Sequence, residues 1–199
     1  QPSSFDRVGR ILVPMELNGT GPFRFILDTG ANRSAVSART VALLGLVPDP
    51  ARPIGVHGVT GSAVLPAVDV ANMRFGEVTL VNRRLPVLGD DVFADADGIL
   101  GIDSLQQARV EVNFARDRVT IHRSTGRHAP RDYLIVPAKL RVGGLLQVDG
   151  RVGSVKVQVI LDTGAERSLG NHALHLALLG SEQLAGAGVP TNVFGATPT

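Results

Sequence analysis

Short apolar runs, broken by glycine, proline and asparagine, recur along the chain and predict many short strands with few helices. Val8 to Leu17 reads as a strand closed by Asn18-Gly19, a dipeptide suited to a tight hairpin turn. Phe23 to Leu27 reads as a second strand, ending in the buried apolar pair Ile26-Leu27. The Ala/Leu-rich stretch Ser37 to Leu44 is predicted to be helical. Pro53 to Val70 alternates around Gly55, Gly58 and Gly61, which predicts a long hairpin with a glycine-rich tip. Further short strands are expected at Phe75 to Val81 and Leu85 to Leu88, and Gly98-Ile99-Leu100-Gly101 sets an apolar pair between glycines. Asp103 is placed to cap a short helix, with Gln106 closing a capping box. A last hairpin joins Val110–Phe114 to Val119–His122 across Ala115-Arg116-Asp117, and the polar stretch Ser124 to Asp132 reads as a linker.

The pattern then repeats. Ile26-Leu27-Asp28-Thr29-Gly30-Ala31-Asn32-Arg33-Ser34 returns as Ile160-Leu161-Asp162-Thr163-Gly164-Ala165-Glu166-Arg167-Ser168, identical at eight of nine positions. Val157 to Leu161 again reads as a strand ending in a buried apolar pair, and Leu169 to Leu179 is again helical in pattern. Ser34 and Ser168 are expected to cap the helices that follow them. The offset is the length of a small domain, so the repeat implies a duplicated domain, not a solenoid. The expected boundaries are a first lobe at 1–123, a linker at 124–132 and a second lobe at 133–199, starting at Tyr133. Val193-Phe194-Gly195-Ala196-Thr197 matches the hairpin segment Val56-His57-Gly58-Val59-Thr60. Nothing within the chain matches Ile99-Leu100-Gly101 a second time. The second lobe therefore reads as incomplete, finished either by a missing C-terminal segment or by a partner such as a second copy.

Composition narrows the chemistry. The chain has 199 residues, 44% hydrophobic and 19% charged, enough to bury a core without staples and too apolar to be disordered. There is no cysteine, which excludes a thiol nucleophile, a disulfide framework and a zinc finger. No apolar run is long enough to span a membrane. Net charge is +2, with the densest basic stretch from Arg116 to Arg131. Only Tyr133 lies near that stretch to stack on a base, so no nucleic acid is expected as a partner. His172 and His175 are three apart on a predicted helix but lack a third ligand, and no metal is expected. Asp90, Asp91, Asp95 and Asp97 read as a solvated loop, because a calcium loop needs regular alternate spacing and a terminal Glu. No phosphate loop or other cofactor motif is present, so no cofactor is expected. The chain begins at Gln1, not Met, which raises the expectation of a processed, periplasmic or secreted protein.

Asp-Thr-Gly-Ala at the end of an apolar strand, followed at a distance by Ile-Leu-Gly, resembles the retropepsin-like branch of the aspartic proteases. The resemblance covers Val8 to about Arg123 fully and Tyr133 to Thr199 in part. It implies an all-β acid-protease fold with short helices: two similar β-barrel-like lobes, the second incomplete. It implies that Asp28 and Asp162 are a catalytic pair, framed by Thr29, Gly30, Ala31, Thr163, Gly164 and Ala165. Two carboxyls in contact cannot both ionise, so one serves as base and the other as acid. The resemblance also implies that Ile99, Leu100 and Gly101 support the active-site loop, and that His57, Gly58 and Val59 lie on a flap over a peptide or protein substrate. Two alternatives carry the same residues. One is a homodimer that pairs Asp28 with Asp28 of a second chain. The other is a catalytically silent domain that binds peptides or a protein partner.

Overall fold

The computed structural model describes residues 4–6, 9–58, 61–113, 116, 118–126, 134–140 and 144–185. Strand β1 (Ser4–Phe5) pairs with β2 (Ile11–Leu17). Asn18 and Gly19 then take φ of 50° and 77°, the two left-handed positions that a tight turn needs, and lead into β3 (Thr20–Leu27). The short β4 (Ala35–Ser37) runs into helix α1 (Ala38–Leu43), where the Ser37 side chain accepts from the Thr40 amide. Strands β5 (Asp49–Gly58) and β6 (Gly61–Phe75) make the long hairpin.

The strand expected across Phe75–Val81 is broken in the structure. Gly76 turns the chain at φ 55°, and β7 runs unbroken from Val78 to Leu88. The turn falls there because Gly76 passes so close to the Ile121 carbonyl that no Cβ fits. A single 3-10 turn (Asp90–Val92), β8 (Gly98–Leu100), α2 (Ile102–Leu105) and the hairpin of β9 (Ala108–Asn113) with β10 (Arg118–Arg123) complete this part.

The strand order is β1-β2-β3-β8-β4-β7-β6-β5, and β2 also pairs with β6. Strands β2, β3, β8, β4, β7 and β6 therefore close on themselves as a barrel, which removes their edges. Its interior is filled by Met15, Leu17, Phe25, Met73, Phe75 and Leu85. Alternation sends Leu12 and Ile26 to the outer face, where Phe93 and Ala96 bury them.

That cover makes the acidic loop a structural element, contrary to the solvated loop expected from sequence. Asp97 accepts from the Arg24 amide at 2.8 Å and from the Arg39 guanidinium at 3.3 Å. Asp90 accepts from the Arg39 amide at 3.0 Å, and Asp95 pairs with Arg24. Two arginines thus pin the loop over the outer apolar cluster.

Beyond the barrel, β11 (Lys139–Leu140), β12 (Leu146–Val152) and β13 (Val155–Ile160) form an antiparallel sheet, followed by α3 (His172–Ala185). Among the described residues from 134 to 180, none is buried. This corrects one expectation: Ile26 and Leu27 are each 1% exposed, but their counterparts Ile160 and Leu161 are 39% and 43% exposed. Burial of the first pair comes from β8 and the acidic loop, whereas among the described residues β12 is the one strand that pairs with β13. Tyr133 and the segment Val193–Thr197 lie outside the described residues. The architecture is all-β with short helices, in keeping with the acid-protease fold expected from the sequence. Among the described residues, no helix is long and apolar enough to cross a membrane.

Candidate active site

The loop after β3 is held from beneath by the segment 99–104. Strands β3 and β8 run parallel, with Ile26 opposite Ile99 and Leu27 opposite Leu100. The pairing continues past the strand, where the Asp28 amide donates to the Leu100 carbonyl at 3.1 Å. The Ile102 amide donates to the Ala31 carbonyl at 3.0 Å. A Cβ on Gly101 would fall 2.5 Å from the Arg33 carbonyl carbon, so only glycine lets the returning loop lie this close.

Ser34 does not cap a helix. It is fully buried, and its hydroxyl accepts from the Gly101 amide at 3.0 Å while contacting Asp103 and Ser104. Asp103 is likewise not a cap. Gly101 occupies that position on α2, and the Asp103 carboxylate accepts from the Ser34 amide at 2.7 Å and from Arg83 at 3.2 Å. In both cases the competing partner is a loop some 70 residues away in sequence, and a buried polar atom takes the partner that burial brings to it. Similarly, Asn171 and not Ser168 accepts at the start of α3, from the Leu174 amide at 2.9 Å.

The two Asp-Thr-Gly loops meet reciprocally. Thr29 Oγ1 donates to the Leu161 carbonyl at 2.7 Å and accepts from the Thr163 amide at 3.1 Å. Thr163 Oγ1 donates to the Leu27 carbonyl at 2.7 Å and accepts from the Thr29 amide at 3.1 Å. Four bonds thus clasp the loops with near two-fold symmetry.

Inside this clasp each glycine faces the carboxyl of the other loop. A Cβ on Gly164 would lie 2.6 Å from Asp28 Cγ, and one on Gly30 would collide with the Asp162 carboxyl. Each Asp also accepts from the amide two residues on, Gly30 to Asp28 and Gly164 to Asp162, both at 2.8 Å. The Asx-turn expected of an isolated loop aspartate is therefore present, and it aims the carboxyl across the interface. Ala165 adds a second amide to Asp162 at 3.1 Å. Burial, and then the Asp162 charge within hydrogen-bonding reach, raise the Asp28 carboxyl from 3.8 to about 6.

The hairpin of β5 and β6 reaches the same loop. The His57 amide donates to Asn32 Oδ1 at 2.8 Å, and the Asn32 amide donates to the His57 carbonyl at 3.2 Å. His57 Nδ1 contacts Ser62 Oγ across the hairpin at 2.7 Å, and Gly58 pairs with Gly61 at its end. Val59 lies outside the described residues.

Residues 13–104 match the family model described as aspartyl protease. That segment belongs to the aspartyl protease family. No curated protein matches the chain in sequence.

The aspartyl protease segment runs from β2 to α2, so it contains Asp28, Asn32, the long hairpin and the Ile99–Gly101 support. Asp162 and its loop lie beyond it. Asn32 went unnoticed in the sequence reading, although it is the single position where the two nine-residue motifs differ. His172 and His175 sit with ring centroids 6.2 Å apart, and among the described residues no group of three or more potential ligands surrounds a metal position.

Proposed function

We propose that this aspartyl protease is an endopeptidase that hydrolyses peptide bonds with a water activated between Asp28 and Asp162. The observation that supports the reading best is the reciprocal approach of each carboxyl to the glycine of the opposite loop. Residues 1–123 and 133–199 are on this reading two copies of one lobe, joined by 124–132, each supplying one aspartate.

With Asp28 raised to about 6, the pair holds one proton under mildly acidic conditions. Asp28 donates that proton to the carbonyl oxygen of the scissile bond. The Asp162 carboxylate takes a proton from the water as its oxygen bonds to the carbonyl carbon. The gem-diol so formed collapses when its C–N bond breaks, and the proton held by Asp162 passes to the leaving nitrogen. A hydroxyl proton of the gem-diol returns to Asp28, which restores the starting state. Thr29 and Thr163 hold the two loops at fixed separation, Ala31 and Ala165 continue the frame without a competing hydroxyl, and Ile99, Leu100 and Gly101 support it. The hairpin around His57, Gly58 and Val59 covers an extended peptide and excludes water.

Peptide cleavage by the wild type, Asp28→Asn, Asp162→Asn and the double variant, across a hundredfold range of enzyme concentration, tests the reading. Either single variant should lose at least about a thousandfold in kcat/KM, and the double variant should be no worse, since the pair acts as one unit. Robust cleavage by Asp162→Asn that rises with enzyme concentration would instead assign catalysis to a dimer pairing Asp28 with Asp28. A wild type that binds a statine-containing peptide tightly but cleaves nothing would leave a peptide-binding domain.

A further inference from the structure

The hairpin of β5 and β6 projects from the barrel. Pairing of β6 with β7 begins at Ala67, so residues 61–66 pair with β5 alone. Residues 61–64 are exposed along this ribbon. A free two-stranded ribbon is at best marginally stable in water. Among the described residues, the hydrogen bonds that tie its distal end to the rest of the molecule are the two made by Asn32.

We infer that Asn32 is a positioning residue that latches this hairpin to the Asp28 loop and so sets how tightly a peptide substrate is held. The inference rests on the peptidase reading for its substrate, and on geometry alone for the latch. Asn32 stands four residues after Asp28 and two after Gly30, on the loop whose glycine abuts Asp162. Its side chain accepts from the same residue, His57, to which its backbone donates, so a single residue grips the strand on both polar groups. His57 passes the restraint to the second strand through Ser62, its register partner.

The residue type fits the task. A short amide side chain supplies an acceptor close to the loop backbone without adding charge near the carboxyl pair. The second motif has Glu166 at this position, which is one methylene longer and brings a negative charge. The two motifs therefore differ at the very position that makes the latch, in an otherwise repeated sequence.

The experiment compares Asn32→Ala and Asn32→Asp with the wild type in three readouts: KM and kcat on one peptide, affinity for a statine-containing peptide, and exchange of the His57 amide. Asn32→Ala should raise KM and weaken the statine peptide by about five- to tenfold, with kcat changed by less than about threefold, since one amide acceptor is lost. The His57 amide should exchange about tenfold faster in that variant. Asn32→Asp keeps the acceptor and should restore KM and His57 protection, while its added charge moves the alkaline limb of the pH–rate profile upward. Unchanged His57 exchange and unchanged KM in Asn32→Ala would overturn the latch. If the wild type cleaves no peptide, the peptidase reading fails, and statine-peptide affinity with His57 exchange still decides the latch.

Discussion

Asp28 carries its proton to about pH 6 because the loop that holds it is buried and the opposite carboxyl is its neighbour. The direction of the stability effect follows from linkage. A carboxyl whose folded value is raised stabilises the fold most below its unfolded value of 3.8, and that contribution is lost as pH rises through about 6. Asp28→Asn removes the ionisation, so its stability relative to the wild type should grow between pH 4 and pH 7. The full gain corresponds to at most about 3 kcal/mol for a shift from 3.8 to about 6. Urea midpoints measured across that range check it, and a pH-independent difference would contradict it. The same burial makes Gly164 irreplaceable. Gly164→Ala sets a methyl 2.6 Å from Asp28 Cγ and should cost about a hundredfold or more in kcat/KM through misplacement of the pair. Gly180→Ala, whose added methyl meets open space on α3, should change neither activity nor fold, and kinetics with circular dichroism on both variants make the comparison.

At the scale of elements, what decides the site is how two loops 134 residues apart are clasped. Thr29→Val keeps the branched shape but removes the donor to the Leu161 carbonyl and the acceptor of the Thr163 amide. Stability should fall by about 1–3 kcal/mol, and kcat more than KM, because the carboxyls are no longer held at fixed separation. Chemical denaturation and steady-state kinetics read the two effects, and an unchanged kcat would show that the clasp does not position the carboxyls. The supporting segment works similarly. Ser34, Asp103 and Arg83 join α2, β7 and the Asp28 loop through one partly buried network, so a residue that reads locally as a helix cap serves as a brace between elements.

For the whole molecule, stability is unevenly shared. The closed barrel encloses its apolar side chains, whereas the described residues from 134 to 180 contribute none to a buried core. Amides of β12 and β13 should therefore exchange at least about a hundredfold faster than those of β3 and β6, because local opening there exposes little apolar surface. Native-state hydrogen exchange resolved by strand measures this. Equal protection in both parts would mean that the β11–β13 sheet is buried in solution. A peptide spanning the two carboxyls would also be expected to raise protection of β13 more than that of β3, since it bridges both loops.

Much of the barrel was legible in the sequence because its signals are local. Asn18-Gly19 specifies a tight turn by φ alone, and Gly55 to Gly61 mark the hairpin. The repeated nonapeptide marked both Asp-Thr-Gly loops, since eight shared positions in matching strand contexts constrain the loop, and its resemblance to aspartic proteases pointed to Asp28 and Asp162 within them. The turn at Gly76 was missed because its cause is the Ile121 carbonyl, which arrives from β10. Ser34 and Asp103 were misread because their partners lie some 70 residues away, and a polar side chain chooses between a local amide and a distant one only once burial has removed water. The same holds for Ile160 and Leu161. Their pattern copies that of Ile26 and Leu27, but burial is a property of the neighbouring strand, and that neighbour is a matter of tertiary structure.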